Sequence, residues 1–238
     1  MRVLTILHQR DAGPGVFAEA VAAAGHELVE WMAPESPPPA LEEFGAAISC
    51  GGAMHVDQWE TNPWLEGERE LLRELLARGT PVLGVCLGAQ LLSEAAGGTP
   101  RRASRPEIGW HDIELCVEGL DDPLMATLPH RLEVFNWHSY ETAPPPGATR
   151  LAKSDVCVQA FRLTGSSWGI QFHAEVTGHD LNSWLDHYAS DEDAVRVGVD
   201  QGALRAETES KIAAWNEVGR GICQRFLRLA ESGRATRA

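Results

Sequence analysis

The sequence predicts an α/β protein, a mostly parallel open sheet with helices on both faces. Three observations carry that prediction. Short apolar runs alternate with amphipathic stretches up to Gly98, the fourth run passes directly into a helix at Cys86, and strand-like runs separated by turns follow Gly98.

Taken in order, Val3–Leu7 has the continuous apolar character of a buried parallel strand. Val16–Ala24 reads as a helix stopped by Gly25, and Glu27–Trp31 as the second strand. The stretch from Pro34 to Pro39 is a stiff connector. Ala46–Cys50 is the third strand. Asn62-Pro63 opens a long amphipathic helix with Leu65, Leu72, Leu75 and Leu76 at helical spacing and Gly79 as its stop, and Val82–Val85 is the fourth strand. Beyond Gly98, Ile113–Val117, Leu132–Trp137, Cys157–Leu163 and Ser167–Phe172 predict an antiparallel extension, with Pro144-Pro145-Pro146-Gly147 as a surface loop. Arg101, Arg102 and Arg105 read as a solvated basic loop, the alternative being a docking point for a phosphate or an acidic partner. From Leu181 the chain is mostly helical, and Leu204–Glu231 reads as one helix whose stripe of Ile212, Trp215, Ile222 and Phe226 packs on the core. No repeat or domain-scale linker interrupts it. The expectation is one domain over 1–238, with a core of about 1–176 and a helical C-terminal extension of about 177–238.

Composition narrows the function classes. A formal net charge of −14 argues against a nucleic-acid surface, because phosphate contacts come from lysine and arginine. Five cysteines without framework spacing suit a reducing compartment, and no apolar run approaches the length of a membrane span or signal peptide. A cytoplasmic protein without membrane contact is expected.

The chemistry concentrates at Gly84-Val85-Cys86-Leu87-Gly88-Ala89-Gln90. A buried strand ends on a cysteine flanked by glycines, and a helix begins at once. Such an elbow holds a nucleophile out of the sheet, and the helix N-terminus favours thiolate and offers N–H groups to an oxyanion. The alternative is a packed thiol in an ordinary turn. Downstream, His173 and Glu175 follow another strand-like run, two residues apart and so able to face one side. A carboxylate there fixes the tautomer of a catalytic imidazole. No third ligand follows at a recognisable spacing, so neither a metal nor a cofactor is expected.

Gly84 to Gln90 together with Gln171-Phe172-His173-Ala174-Glu175 resembles the class I (triad) glutamine amidotransferases, with Ala174 where proline is common. Ile48-Ser49-Cys50-Gly51-Gly52-Ala53-Met54 resembles that family's oxyanion strand end, with Cys50 and Ala53 in place of the usual serine and proline. Glu107-Ile108-Gly109-Trp110 and Phe135-Asn136-Trp137-His138-Ser139-Tyr140 resemble stand-alone members similar to the glutaminase part of GMP synthase, and His8 with Gly13-Pro14-Gly15 fits the same subgroup. The resemblance implies a three-layer flavodoxin-like sheet and a Cys86–His173–Glu175 triad. It also implies an oxyanion hole from the N–H groups of Gly52 and Leu87, and glutamine contacts from Gln90, His138, Ser139 and Tyr140. Many relatives have aspartate at the position of Tyr140, which leaves the α-amino contact to backbone or to Glu141.

The resemblance implies a glutaminase that forms a γ-glutamyl thioester on Cys86 and releases ammonia for an acceptor or a synthetase partner. The chain has no phosphate-binding loop of its own. Two other readings stand beside it. One is a γ-glutamyl hydrolase acting on another γ-glutamyl amide or peptide. The other is a non-catalytic relative that binds glutamine or a partner and senses redox state through Cys86.

Overall fold

The computed structural model describes residues 1–235. Strands β1 (Arg2–Leu7), β2 (Glu27–Met32), β3 (Phe44–Ser49) and β4 (Val82–Val85) alternate with helices α1 (Val16–Ala23), α2 (Trp64–Ala77) and α3 (Leu87–Ala95). Next come β5 (Arg101–Leu115), a single turn α4 (Val117–Leu120), β6 (Arg131–Glu141), β7 (Thr149–Lys153), β8 (Val158–Leu163) and β9 (Ser167–Ile170). Helix α5 (Gly178–Asp186), a tight turn at Tyr188–Ser190, α6 (Glu192–Val197) and α7 (Gln201–Ala235) complete the chain.

The nine strands among the described residues form one sheet in the order β2-β1-β3-β4-β9-β8-β7-β5-β6. The half from β2 to β9 is parallel and the half from β9 to β6 is antiparallel. Every residue of β3 and β4 is buried, as central strands covered on both faces must be. Alternate side chains feed two cores. Val3, Ile48 and Trp168 face α1 and α7 with Phe17, Trp215 and Phe226, whereas Leu4, Ala47 and Phe161 face α2 and α3 with Leu65, Leu72 and Leu92. This is the expected α/β sheet with its antiparallel extension, helices on both faces and a helical C-terminal segment.

Two elements differ from expectation. Strand β5 begins at Arg101, well before Ile113, so Arg101, Arg102 and Arg105 lie on a strand and not in a loop. Its first half is largely exposed and carries no apolar alternation; pairing with β6, the edge strand, extends it. Strand β7 inserts between β8 and β5, where the sequence shows only a short mixed run after the proline loop. Helix α7 lies against α1, with Trp215, Ile222 and Phe226 buried and Cys223 donating to the Phe17 carbonyl. Among the described residues no helix is long and apolar enough to cross a membrane.

Candidate active site

Cys86 is the hinge between β4 and α3, with φ 50° and ψ −108°, a conformation non-glycine residues rarely adopt. Close approach explains its glycine neighbours. A Cβ at position 84 would lie 2.6 Å from the Gly88 carbonyl oxygen, and one at position 88 would overlap the Ser49 carbonyl. The Cys86 N–H is anchored on the Ile170 carbonyl (2.9 Å), which ties the elbow to β9.

The segment after β9 is fixed from three directions. The His173 N–H donates to the Phe135 carbonyl of β6 (2.8 Å), and the His173 carbonyl accepts from Trp215 Nε1 of α7 (2.8 Å). The Glu175 carbonyl accepts from the Val16 N–H of α1 (2.8 Å). So held, His173 Nδ1 lies 2.7 Å from Glu175 Oε1, and the Cys86 thiol, near enough for its charge to act on the imidazole, donates to the Trp137 carbonyl at 3.8 Å. Burial opposes the imidazolium, but Glu175 and Cys86 outweigh it and raise the His173 pKa to about 10. Trp184 stands edge-on to the ring at 4.9 Å.

Gly51 presses on this pair, since a Cβ there would lie 2.8 Å from His173 Cε1 and 3.6 Å from Cys86 Cβ. The N–H groups of Gly52 and Leu87 donate to no protein acceptor among the described residues. Both residues line a cavity of about 430 Å³ with Cys86, Gln90, Tyr140 and Arg102. A second cavity, of about 120 Å³, lies on the face of His173 and is walled by Asp11, Trp137, Trp184 and Asp191.

The remaining expected contacts divide. Gln90 Nε2 donates to the Tyr140 carbonyl (3.2 Å) and to Gln171 Oε1 (3.3 Å), so its amide braces β6. His138 turns its Nδ1 to the Tyr140 carbonyl (3.0 Å) and its Nε2 to within 3.3 Å of Glu107 Oε2. Ser139 helps to hold the Asp193 pKa down. Tyr140 donates to Asp57 Oδ2 (2.8 Å) and stacks on His55. Burial and then Asp57 raise its pKa.

Sequence reasoning missed the pair that rims this end of the cavity. Arg102 Nη1 bridges Asp193 Oδ1 and Oδ2 at 3.0 and 2.9 Å. Burial opposes the Asp193 charge, but Ser139, Arg102 and Arg196 keep its pKa below the ordinary value. The neighbouring Asp191 accepts from Trp137 Nε1 at 2.7 Å. Arg102 belongs to the cluster read as a solvated loop, and Asp193 comes from beyond residue 176. The acidic run Asp191-Glu192-Asp193 was the one available signal.

Glu107, His138 and Cys157 form a group of metal-ligand type, with ligand atoms all within 4.8 Å of one another. Glu107 Oε2 already accepts from Gln159 Nε2 (2.8 Å) and Ser154 Oγ (3.0 Å), protein donors that account for its place without an ion.

Known proteins share the sequence pattern and the fold of this chain. The family model for glutamine amidotransferase class-I matches residues 22–186. The glutamine amidotransferase-like protein YfeJ of Salmonella typhimurium is 28% identical over 223 residues, 91% of each chain. A subunit of the glutamine-hydrolysing GMP synthase of Saccharolobus solfataricus is 31% identical over 151 residues, covering 62% of this chain and 76% of that one. Among solved structures, a glutamine amidotransferase from Thermotoga maritima superposes with a TM-score of 0.85 at 28% identity, covering 95% of this chain and 97% of that one. The chain belongs to the class I glutamine amidotransferases.

Proposed function

We propose that this chain is a cysteine-dependent glutaminase that hydrolyses the side-chain amide of glutamine and hands ammonia to an acceptor or to a synthetase partner. One observation carries the reading. A strained thiol at a helix N-terminus meets an imidazole whose far nitrogen is locked on a carboxylate, 2.7 Å away.

Glutamine enters the larger cavity with its amide over Cys86. Its zwitterionic head fits the Arg102–Asp193 pair, the arginine taking the α-carboxylate and Asp193 the α-ammonium that no aspartate at position 140 is present to take. The Cys86 thiolate attacks the amide carbon, and the oxyanion accepts from the Gly52 and Leu87 N–H groups, each worth roughly 3–4 kcal/mol. His173 protonates the departing nitrogen, and the C–N bond breaks to give ammonia and the γ-glutamyl thioester. Acylation removes the charge on Cys86, one of the supports of the imidazolium, so His173 becomes available as base. It deprotonates a water, which cleaves the thioester to glutamate and regenerates the thiol. The helical extension belongs to the same working unit, because Trp215 of α7 fixes the His173 carbonyl. Kinship with a GMP synthase component supports a synthetase partner.

A substituted γ-glutamyl amide is the second reading. The cavity on the His173 face gives room beyond the leaving nitrogen. The test is ammonia release from L-glutamine by the purified chain beside Cys86→Ala, run in parallel with γ-glutamyl methylamide. Release that vanishes in Cys86→Ala supports the first reading. Turnover of the methylamide alone would favour the second, and release undiminished in Cys86→Ala would overturn both.

A further inference from the structure

His8 is a fully buried histidine to which the reaction above gives no part. It follows β1, its side chain has no exposed surface, and Trp64 stacks on it at 5.4 Å. Its Nδ1 lies 2.9 Å from the Gly51 carbonyl oxygen and its Nε2 2.7 Å from Glu68 Oε2. The other Glu68 oxygen accepts from Ser49 Oγ at 2.7 Å. With Glu68 ionised, both ring nitrogens face acceptors, the arrangement that suits an imidazolium. Burial opposes that charge, and Glu68 with the Gly51 carbonyl overcomes it, raising the His8 pKa.

The Gly51 carbonyl and the Gly52 N–H belong to one peptide unit. In a trans peptide these groups point in opposite directions, and there are no cis bonds among the described residues. A carbonyl held on His8 therefore turns the Gly52 N–H away from His8, and the adjoining Gly51 is the residue whose Cβ would meet His173 and Cys86. A cationic donor on the carbonyl also polarises the peptide and strengthens its N–H as a donor. The next peptide is secured separately, by the Ala53 N–H on Gln9 Oε1 at 2.7 Å.

We propose that the buried His8–Glu68 pair is the positioning device of the oxyanion hole, holding the Gly51 carbonyl so that the Gly52 N–H faces the carbonyl attacked by Cys86. It supplies by electrostatics the rigidity that a turn carrying Ala53 lacks. The inference rests on the glutaminase reading above, and its test separates the two. Kinetic constants for glutamine are measured for the wild type, His8→Gln and Glu68→Gln, beside the rate of Cys86 alkylation by iodoacetamide. Alkylation attacks a saturated carbon and forms no oxyanion. Both variants should lose about 10²-fold in kcat, with KM and the alkylation rate each within about threefold of wild type.

Unchanged kcat in a folded variant overturns the inference. So does a parallel loss of hydrolysis and alkylation, which would mean a general collapse of the site. Should both variants fail to fold by circular dichroism, ¹⁵N spectra of histidine-labelled wild type decide, since the device requires both His8 ring nitrogens protonated at pH 7.5 and a neutral tautomer overturns it. A wild type without Cys86-dependent ammonia release defeats the glutaminase reading and this inference together. Wild-type activity with unaffected variants defeats the inference alone.

Discussion

Cys86, His173 and Glu175 share their residue types with Cys157, His138 and Glu107, yet the two sets are wired differently. In the first, the imidazole is the middle member, with Nδ1 on Glu175 and the ring against Cys86. In the second, the carboxylate is the middle member, with Glu107 Oε2 3.3 Å from His138 Nε2 and 3.7 Å from Cys157 Sγ. A histidine beside a sulfur takes its proton and balances its charge. A carboxylate there does the opposite, and burial followed by Glu107 pushes the Cys157 thiol far above the ordinary range. Backbone completes the contrast, since Cys86 opens a helix on a strained elbow whereas Cys157 precedes an extended strand. Residue identity does not make a nucleophile; connectivity and local backbone do.

The sharpest way to break this comparison is to exchange each acid for its amide. Glu175→Gln should lower kcat for glutamine about 10²- to 10⁴-fold, because the imidazole loses its tautomer lock. Glu107→Gln should leave kcat within about threefold and cost about 2–4 kcal/mol of unfolding free energy, read by urea denaturation, because a buried paired charge is lost. Equal kinetic losses in the two variants would erase the distinction. A smaller effect is expected in thiol reactivity. Iodoacetamide at pH 7 should modify Cys86 at least about tenfold faster than Cys157, measured by peptide mass spectrometry.

The smallest effect is on stability against pH. The folded His173 pKa of about 10 lies above its ordinary value of 6.5, so the stability it contributes is complete below that value and disappears as pH rises through about 10. Much of it depends on Glu175. The stability gap between wild type and Glu175→Gln, from urea titrations, should therefore be widest near pH 6 and narrow toward pH 10. A gap that widens with pH would reverse the assigned sign.

Local features were legible in the sequence and distant convergences were not. Val82–Val85 and the glycines around Cys86 announced the elbow because each residue acts within one turn of chain. The spacing of His173 and Glu175 was equally local. Strand β7 and the first half of β5 escaped notice because sheet pairing, not apolar alternation, makes them strands. Arg102 and Asp193 escaped because 91 residues separate them. Glu68 left a clue that went unread: it sits on the buried face of α2 among Leu65, Leu72 and Leu75, and a carboxylate in such a stripe requires a partner.

The positive φ of Cys86 sets what the fold and the chemistry each want at that position. A residue with a side chain in this conformation carries strain of about 1–3 kcal/mol, and glycine carries almost none. Cys86→Gly should therefore melt above Cys86→Ala, although the proposed mechanism expects both to be inert. Selection for heat tolerance alone would drift toward glycine and discard the sulfur among its first losses. If Cys86 is the nucleophile of the proposed reaction, its sulfur persists at position 86 only while turnover is also under selection.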